Sequence, residues 1–106
     1  MKIRCGIHEV VVAIDSESTK RCRENEVIGQ FIASDLRIDI DSSYPLSVQR
    51  ETLIHELLHF AYESSPIRDG GFDFNEELIV NSLTPVVAQA LIQNPHLLEW
   101  LKDEQQ

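Results

Sequence analysis

A strict alternation of apolar and charged residues constrains the fold of this chain most. Leu36 to Asp41 reads LRIDID, which predicts a β-strand with one face towards a core and the other towards water. Ile3 to Ile14 and Val27 to Ala33 are rich in β-branched residues and also predict strands. We expect a turn at Ser34-Asp35. The segment Asp15 to Asn25 is rich in Ser and charged residues, so we expect an exposed connection there.

The pattern changes from strands to helices after Pro45. Apolar residues then recur at helical spacing and predict a helix from near Ser47, as the N-cap, to about Ser64. Asp73 and Glu76 resemble a capping box and predict the start of a second helix near Asp73. A short last helix, His96 to Lys102, follows Asn94-Pro95. Strands followed by helices predict an α+β fold. We interpret residues 1–106 as a single domain with a small N-terminal antiparallel or mixed sheet and C-terminal helices.

Composition and charge exclude several kinds of partner. The 106 residues carry a formal net charge of −9, which argues against binding to nucleic acid or to an anionic membrane surface. The sequence contains no apolar run long enough to cross a bilayer, and its first residues do not resemble a signal peptide. We therefore expect a cytoplasmic protein, including the host cytoplasm for a phage-encoded chain, with Cys5 and Cys22 reduced.

The motif HELLH at residues 55–59 is the feature with a clear chemical meaning. His55 and His59 are four residues apart, so on a helix both imidazoles lie on one face and can bind one metal ion. Glu56 lies about 100° around the helix from His55, within reach of a metal-bound water. This pattern favours a catalytic zinc site in which zinc activates the water and Glu56 acts as the general base.

An HELLH helix followed by an acidic residue on the next helix resembles the gluzincin arrangement, which implies a glutamate as the third zinc ligand. Glu76 and Glu77 are the candidates. We favour Glu77, because Glu76 has a role in the capping box and because Asn81 lies one turn beyond Glu77, where it can hold a ligand in place. The resemblance therefore implies one zinc ion per chain, bound by His55, His59 and Glu77.

The segment from the Leu36 strand through Asn81 is similar to the metallopeptidase domain of ImmA/IrrE-like proteins and to small phage zincins. The shared features are the strand, the HExxH helix and a following Glu-x-x-small-Asn pattern, here with Val80 at the small position. The Leu-Met-Pro that those proteins carry does not follow here, and Leu83-Thr84-Pro85 takes its place. The resemblance implies a zinc-dependent peptidase with a protein or peptide substrate. A zinc-stabilised binding or regulatory module without catalysis is the alternative.

The surroundings of the motif leave three questions open. The Leu36 to Asp41 strand is either an edge that binds substrate as an extra strand or an interior strand. Glu51 and Glu63 continue the stripe of the two histidines, as partners of the histidine rings or as solvated carboxylates. The group that stabilises the oxyanion has four candidates: Tyr44, Tyr62, Arg68 and His96.

Overall fold

The computed structural model describes residues 1–5, 7–64 and 75–102. Strands alternate with a helix in the first part of the chain, and three helices follow. The elements are β1 (Lys2–Cys5), β2 (His8–Ala13), α1 (Ser16–Glu24), β3 (Gly29–Ile32), a 3-10 turn (Ala33–Asp35), β4 (Arg37–Ile40), α2 (Leu46–Glu63), α3 (Glu76–Ile92) and α4 (Pro95–Lys102). The predicted α+β class is confirmed.

Within the described residues, four strands form one mixed sheet in the order β1-β2-β4-β3. The pairs β1–β2 and β3–β4 are antiparallel, whereas β2 and β4 run parallel. The sheet is therefore mixed, and β4 lies in its interior with a strand on each side. Of the two alternatives for the strand at 36–41, the interior position is correct and the edge position is wrong. The edge strands of the described sheet are β1 and β3, and β3 is the one next to β4.

The hydrophobic core lies between one face of the sheet and α2. Val10 and Val12 of β2 and Ile38 and Ile40 of β4 are almost fully buried, and they cluster with Phe60 of α2. Phe60 also packs edge-to-face on Phe31 of β3. Because α2 covers the sheet across β4 and β3, its central turns lie beside the β3 edge.

The segment Asp15 to Asn25 was predicted to be an exposed connection, and this prediction is wrong: it contains α1. Asp15 caps the helix by accepting a hydrogen bond from Ser18 N at 2.8 Å, and Ser18 Oγ accepts one from Asp15 N at 2.9 Å. The buried side of α1 consists of Ser18, Thr19 and Cys22. Small polar residues give no apolar periodicity, so the hydrophobic pattern could not reveal this helix. Burial raises the pKa of the free Cys22 thiol to about 11.

The charged face of the strand at 36–41 was predicted to meet water, which is also wrong. Asp39 is fully buried beneath α1. Its carboxylate accepts hydrogen bonds from Arg21 Nη2 (2.8 Å) and Nε (3.0 Å), from Gln30 Nε2 (3.1 Å) and from Arg37 Nε (3.1 Å). Burial acts to raise the pKa of Asp39, but the hydrogen bonds from Arg21 and Gln30 and the two guanidinium charges outweigh it, so the pKa lies below its ordinary value.

Several element boundaries differ from the prediction. The span 3–14 holds two strands, β1 and β2, and β2 ends at Ala13. The helix α2 begins at Leu46 after Pro45, so Ser47 is not its N-cap. The helix α3 is capped by Asn75, whose side chain accepts from Leu78 N at 3.0 Å. The predicted start at Asp73 lies outside the described residues.

No described helix has both the length and the apolarity needed to cross a membrane.

Candidate metal centre

The two histidines of the motif converge on one point beside α3. His55 and His59 are successive-turn neighbours on α2, and their Nε2 atoms lie 3.2 Å apart. Two donors that bind one ion tetrahedrally at about 2.0–2.1 Å are themselves about 3.3–3.4 Å apart. The imidazole pair therefore already has the separation that a shared metal ion requires.

Glu77 places a carboxylate oxygen at the same point. Its Oε1 lies 3.1 Å from His59 Nε2, and one ligand atom from each of His55, His59 and Glu77 lies within 4.8 Å of the others. Among the described residues, these three are the group of histidine, cysteine, aspartate or glutamate side chains whose ligand atoms lie close enough together to bind one metal ion. Glu77 is exposed at the first turn of α3, so its carboxylate can adjust its position on binding an ion.

Glu76 occupies a different position. Its Oε1 lies 3.4 Å from His59 Nδ1, the ring nitrogen on the side away from His55. Glu76 is the first residue of α3 and Glu77 the second, so the chain brings one carboxylate to each nitrogen of the same imidazole. Carboxylates at the outer nitrogen of a metal-binding histidine are a common arrangement, since they orient the ring.

Thr84 of α3 orients the other histidine. The hydroxyl of Thr84 donates to the Val80 carbonyl oxygen at 2.7 Å, and its oxygen lies 3.3 Å from His55 Nδ1. Because the hydroxyl proton is already used, the oxygen accepts a hydrogen bond from the Nδ1–H group of His55. The Nε2 atom of His55 then carries the lone pair, and it faces His59 Nε2.

The electrostatic environment favours the neutral form of His55. Burial lowers its pKa, and the neighbouring His59 lowers it further, whereas the carboxylates of Glu77 and Glu51 act in the opposite direction. A neutral imidazole is the form that binds a metal ion. The donor set of two imidazole nitrogens and one carboxylate oxygen, aimed at one point, therefore fits a divalent cation.

Glu56 lies on the sheet side of α2 and is buried, with about 7% of its surface exposed. Burial raises the pKa of its carboxyl group, and the Phe31 backbone N–H donates a hydrogen bond to the carboxylate, which lowers the pKa in part. It lines the same two cavities as His55. A partly desolvated carboxylate beside a metal-binding group is suited to accept a proton near neutral pH.

Gly29 at the start of β3 permits the close contact between the sheet and α2. A Cβ at this position would clash with the Thr52 Cγ2 methyl group and would lie 3.3 Å from the Asp39 carbonyl oxygen and 3.7 Å from Glu56 Cγ. The absence of a side chain at residue 29 therefore lets β3 approach α2 beside Glu56.

No described strand pairs with β3 on the edge that faces the site. Asp41 N donates to the Ile28 carbonyl oxygen at 2.8 Å, so residue 28 directs its backbone groups at the neighbouring strand segment. In an antiparallel pair this direction alternates, and the backbone groups of Gly29 and Phe31 therefore point away from β4. The hydrogen bond from Phe31 N–H to Glu56 agrees with this orientation.

Two adjoining cavities open beside the centre. The first, of about 490 Å³, extends from His55 and Glu56 towards the N-terminal half of α2. The second, of about 530 Å³, includes His55, Glu56 and His59 together with the carboxylates of Glu63, Glu76 and Glu77. Both volumes are within the range of sites that bind small ligands or side chains.

The remaining sequence candidates occupy other positions. Asn81 is exposed, and among the described contacts it has no hydrogen bond to the histidines or to Glu77. Tyr44 lines a separate cavity with Arg23 and Asp41. Tyr62 and His96 are not among the described residues that line the two cavities at the centre. Arg68 lies outside the described residues.

Sequence reasoning missed Thr84 and Gly29 and considered Glu76 only as a ligand or cap. Thr84 lies seven residues, or two helical turns, after Glu77, and this spacing could have identified it. No signal in the sequence marks Gly29, because its role depends on a methyl group of another element.

Comparisons with protein-family models, with curated proteins and with solved structures give no match for this chain.

Proposed function

We propose that this protein is a zinc metallopeptidase in which His55, His59 and Glu77 bind the metal and Glu56 is the general base. The observation that carries the proposal is the convergence of three ligand atoms within 4.8 Å beside a buried carboxylate of raised pKa. A structural metal site would have no use for that carboxylate.

The donor set suits zinc and leaves room for reaction. Three protein ligands are typical of catalytic zinc sites, whose fourth position is open to water or substrate. When bound, zinc supplies Lewis acidity, which polarises a carbonyl group and lowers the pKa of a water molecule. Thr84 and Glu76 support this chemistry by holding the two imidazole rings at their outer nitrogens.

Glu56 moves the proton in the proposed reaction. Its carboxylate accepts a proton from the attacking water and then donates it to the nitrogen of the leaving amine. The hydrogen bond from Phe31 N–H fixes one side of the carboxylate. Burial raises the basicity of the group towards the working range of a general base.

The free edge of β3 offers a binding surface for an extended peptide. The outward backbone groups of Gly29 and the outward carbonyl oxygen of Phe31 can pair with a substrate strand, which gives affinity without regard to its sequence. The Phe31 N–H is already bonded to Glu56. This role was one of the two alternatives for the strand at 36–41, but that strand is interior, and β3 replaces it in the proposal. A peptide on this edge lies beside Glu56 and between the two cavities.

Metal analysis and hydrolysis assays on three variants test the proposal. We expect one zinc ion per chain in the wild type and a loss of zinc in His59→Ala. Glu56→Gln should keep zinc but lower the rate of peptide hydrolysis by about 10²-fold or more, as for loss of a general base. Glu17→Gln makes the same charge change at an exposed residue of α1 that lines neither cavity, and it is the matched control. Hydrolysis at the wild-type rate by zinc-loaded Glu56→Gln would contradict the mechanism.

A zinc-stabilised module without catalysis is the second candidate, and one observation favours it. The ligands come from two different helices, α2 and α3, so a bound ion would join them and contribute to folding. This candidate predicts that a chelator unfolds the protein and that no peptide in a diverse pool is cleaved. Cleavage that depends on Glu56 would exclude it.

A further inference from the structure

The cavity of about 490 Å³ on the α2 side of the centre has an apolar part in its wall. Val27, Ile28 and Val48 line it, and Gly29 adds a surface without a side chain. Val27 and Ile28 are each 39% exposed. Covering these side chains with methylene groups of a ligand would remove apolar surface from water, which is favourable.

The charge at this cavity has one sign. Glu51 lines it from α2, four residues before His55, and is exposed. Among the described residues that line the cavity, Glu51 and Glu56 are acidic and none is lysine or arginine. No described hydrogen bond or ion pair occupies the carboxylate of Glu51. A cationic group at the mouth of the cavity would therefore meet an available partner.

We infer that this cavity is the subsite for a lysine or arginine side chain of the peptide substrate, next to the bond that is cleaved. The aliphatic stem of such a side chain packs on Val27, Ile28 and Val48, and its charged end reaches Glu51 near solvent. Long basic side chains commonly bury the stem and keep the charge exposed in this way. The inference rests on the proposed function in one respect: the metal centre defines which bond is next to the cavity.

The cavity's place beside the β3 edge supports this assignment. His55, Glu56 and Thr84 are shared between the cavity wall and the metal centre or its supports. Gly29 lies at the cavity and also on the free edge. A peptide paired with β3 would therefore direct a side chain near the reacting carbonyl towards Val48 and Glu51. An acidic side chain there would meet two carboxylates, which is unfavourable.

Peptide binding to the full-length Glu56→Gln protein with one equivalent of zinc tests the inference without hydrolysis. The probes are fluorescent hexapeptides in which one position at a time carries lysine, norleucine, alanine or glutamate. At one position we expect lysine to bind about threefold to fivefold more tightly than norleucine, as for one exposed ion pair. Norleucine should bind on the order of tenfold more tightly than alanine there, and glutamate should bind most weakly.

Two substitutions separate the charge from the apolar walls. Glu51→Gln should abolish the advantage of lysine over norleucine and keep that of norleucine over alanine. Val48→Phe should fill the cavity and reduce the advantage of norleucine. Glu63→Gln, which makes the same charge change on the same helix at the other cavity, is the matched control and should keep both preferences.

Four outcomes would overturn the inference. They are equal binding of lysine and norleucine at every position, an equal effect of Glu51→Gln and Glu63→Gln, an unchanged preference in Glu51→Gln, and no binding of any probe. The proposed function is tested by a different measurement, the hydrolysis of peptides by the wild type. A lysine preference in binding with no hydrolysis by the wild type would support a lysine-binding cavity and contradict the peptidase. Hydrolysis without the preference would support the peptidase and overturn the subsite.

Discussion

Thr84→Val is the most direct test of how α3 prepares the metal centre. The substitution replaces a hydroxyl group by a methyl group at a side chain that is 3% exposed, so the shape of the contact with α2 stays nearly the same. It removes the oxygen that accepts a hydrogen bond from His55 Nδ1. The Val80 carbonyl group, which also loses this hydroxyl, still has its main-chain partner within the helix.

The expected effect is a loss of zinc affinity of about tenfold, or about 1.4 kcal/mol. Removing a partner of a metal-binding histidine generally weakens metal binding by about 10- to 100-fold. We expect the lower end, because the Thr84 oxygen is an uncharged acceptor and its distance to His55 Nδ1 is 3.3 Å. Without that acceptor, the ring can turn or change tautomer, and part of the binding energy is used to restore it.

Competition with a chromophoric chelator measures the affinity, and nitrogen NMR of the metal-free protein reports the tautomer of His55. Thr84→Ser keeps the hydroxyl group and should stay within about twofold of the wild type. Ser82→Ala removes an exposed hydroxyl group from the same helix and is the matched control. An affinity of Thr84→Val within twofold of the wild type, or an equal loss in Ser82→Ala, would refute this reasoning.

Three further predictions concern the ligand choice, the sheet contact and the buried carboxylate. Glu77→Gln should weaken zinc binding well beyond 100-fold, whereas Glu76→Gln should cost about tenfold, as measured by chelator competition. Gly29→Ala should lower the free energy of unfolding by about 1–3 kcal/mol in urea denaturation, and Thr52→Ser should restore most of it because it removes the clashing methyl group. Asp39→Asn should cost about 2 kcal/mol at pH 7, less than for a fully buried ion pair since the guanidinium groups that contact it are partly exposed.

The effect at Asp39 has a defined dependence on pH. Its pKa is lower in the folded protein than in the unfolded chain, so its stabilising contribution is fully present above the ordinary aspartate pKa of about 3.9. The contribution is lost as the pH falls through the folded-state pKa. The difference in stability between the wild type and Asp39→Asn should therefore disappear in acid, and a constant difference down to pH 2 would contradict this account.

Outcomes that would contradict the other two predictions are equally specific. A greater loss of zinc affinity in Glu76→Gln than in Glu77→Gln would exchange the roles of the two carboxylates. If Thr52→Ser fails to rescue Gly29→Ala, the cost at residue 29 comes from the Asp39 carbonyl oxygen, the next nearest atom. Both the chelator competition and the urea denaturation use the full chain.

The local part of the candidate site could be predicted from the sequence. The four-residue spacing of His55 and His59 on a helix is enough to place both rings on one face, and Glu56 follows from the same geometry. The choice between Glu77 and Glu76 depends on where α3 begins, which the local period does not determine. The structure starts this helix at Glu76, and that start directs the two carboxylates to different nitrogens of His59.

The strands and α1 show where pattern reasoning reached its limit. Alternation correctly predicted a strand at 36–41 but assigned Asp39 to water, since a charged residue is buried only when partners from other elements compensate it. Those partners, Arg21 and Gln30, come from α1 and β3. The helix α1 was missed although Asp15 and Glu17 at its start and Arg21 and Arg23 at its end match the helix dipole.

The sequence by itself determined the class of fold, the helix that carries HELLH and the relation of its three chemical groups, because these depend on the chain's local period. Only the tertiary structure decided which strand forms the edge beside the centre, which side chains hold His55 and His59, and why residue 29 must be glycine. Each of these depends on contacts between elements distant in sequence, such as Thr84 with His55 and Gly29 with Thr52. No periodicity within one segment encodes the distance between two segments.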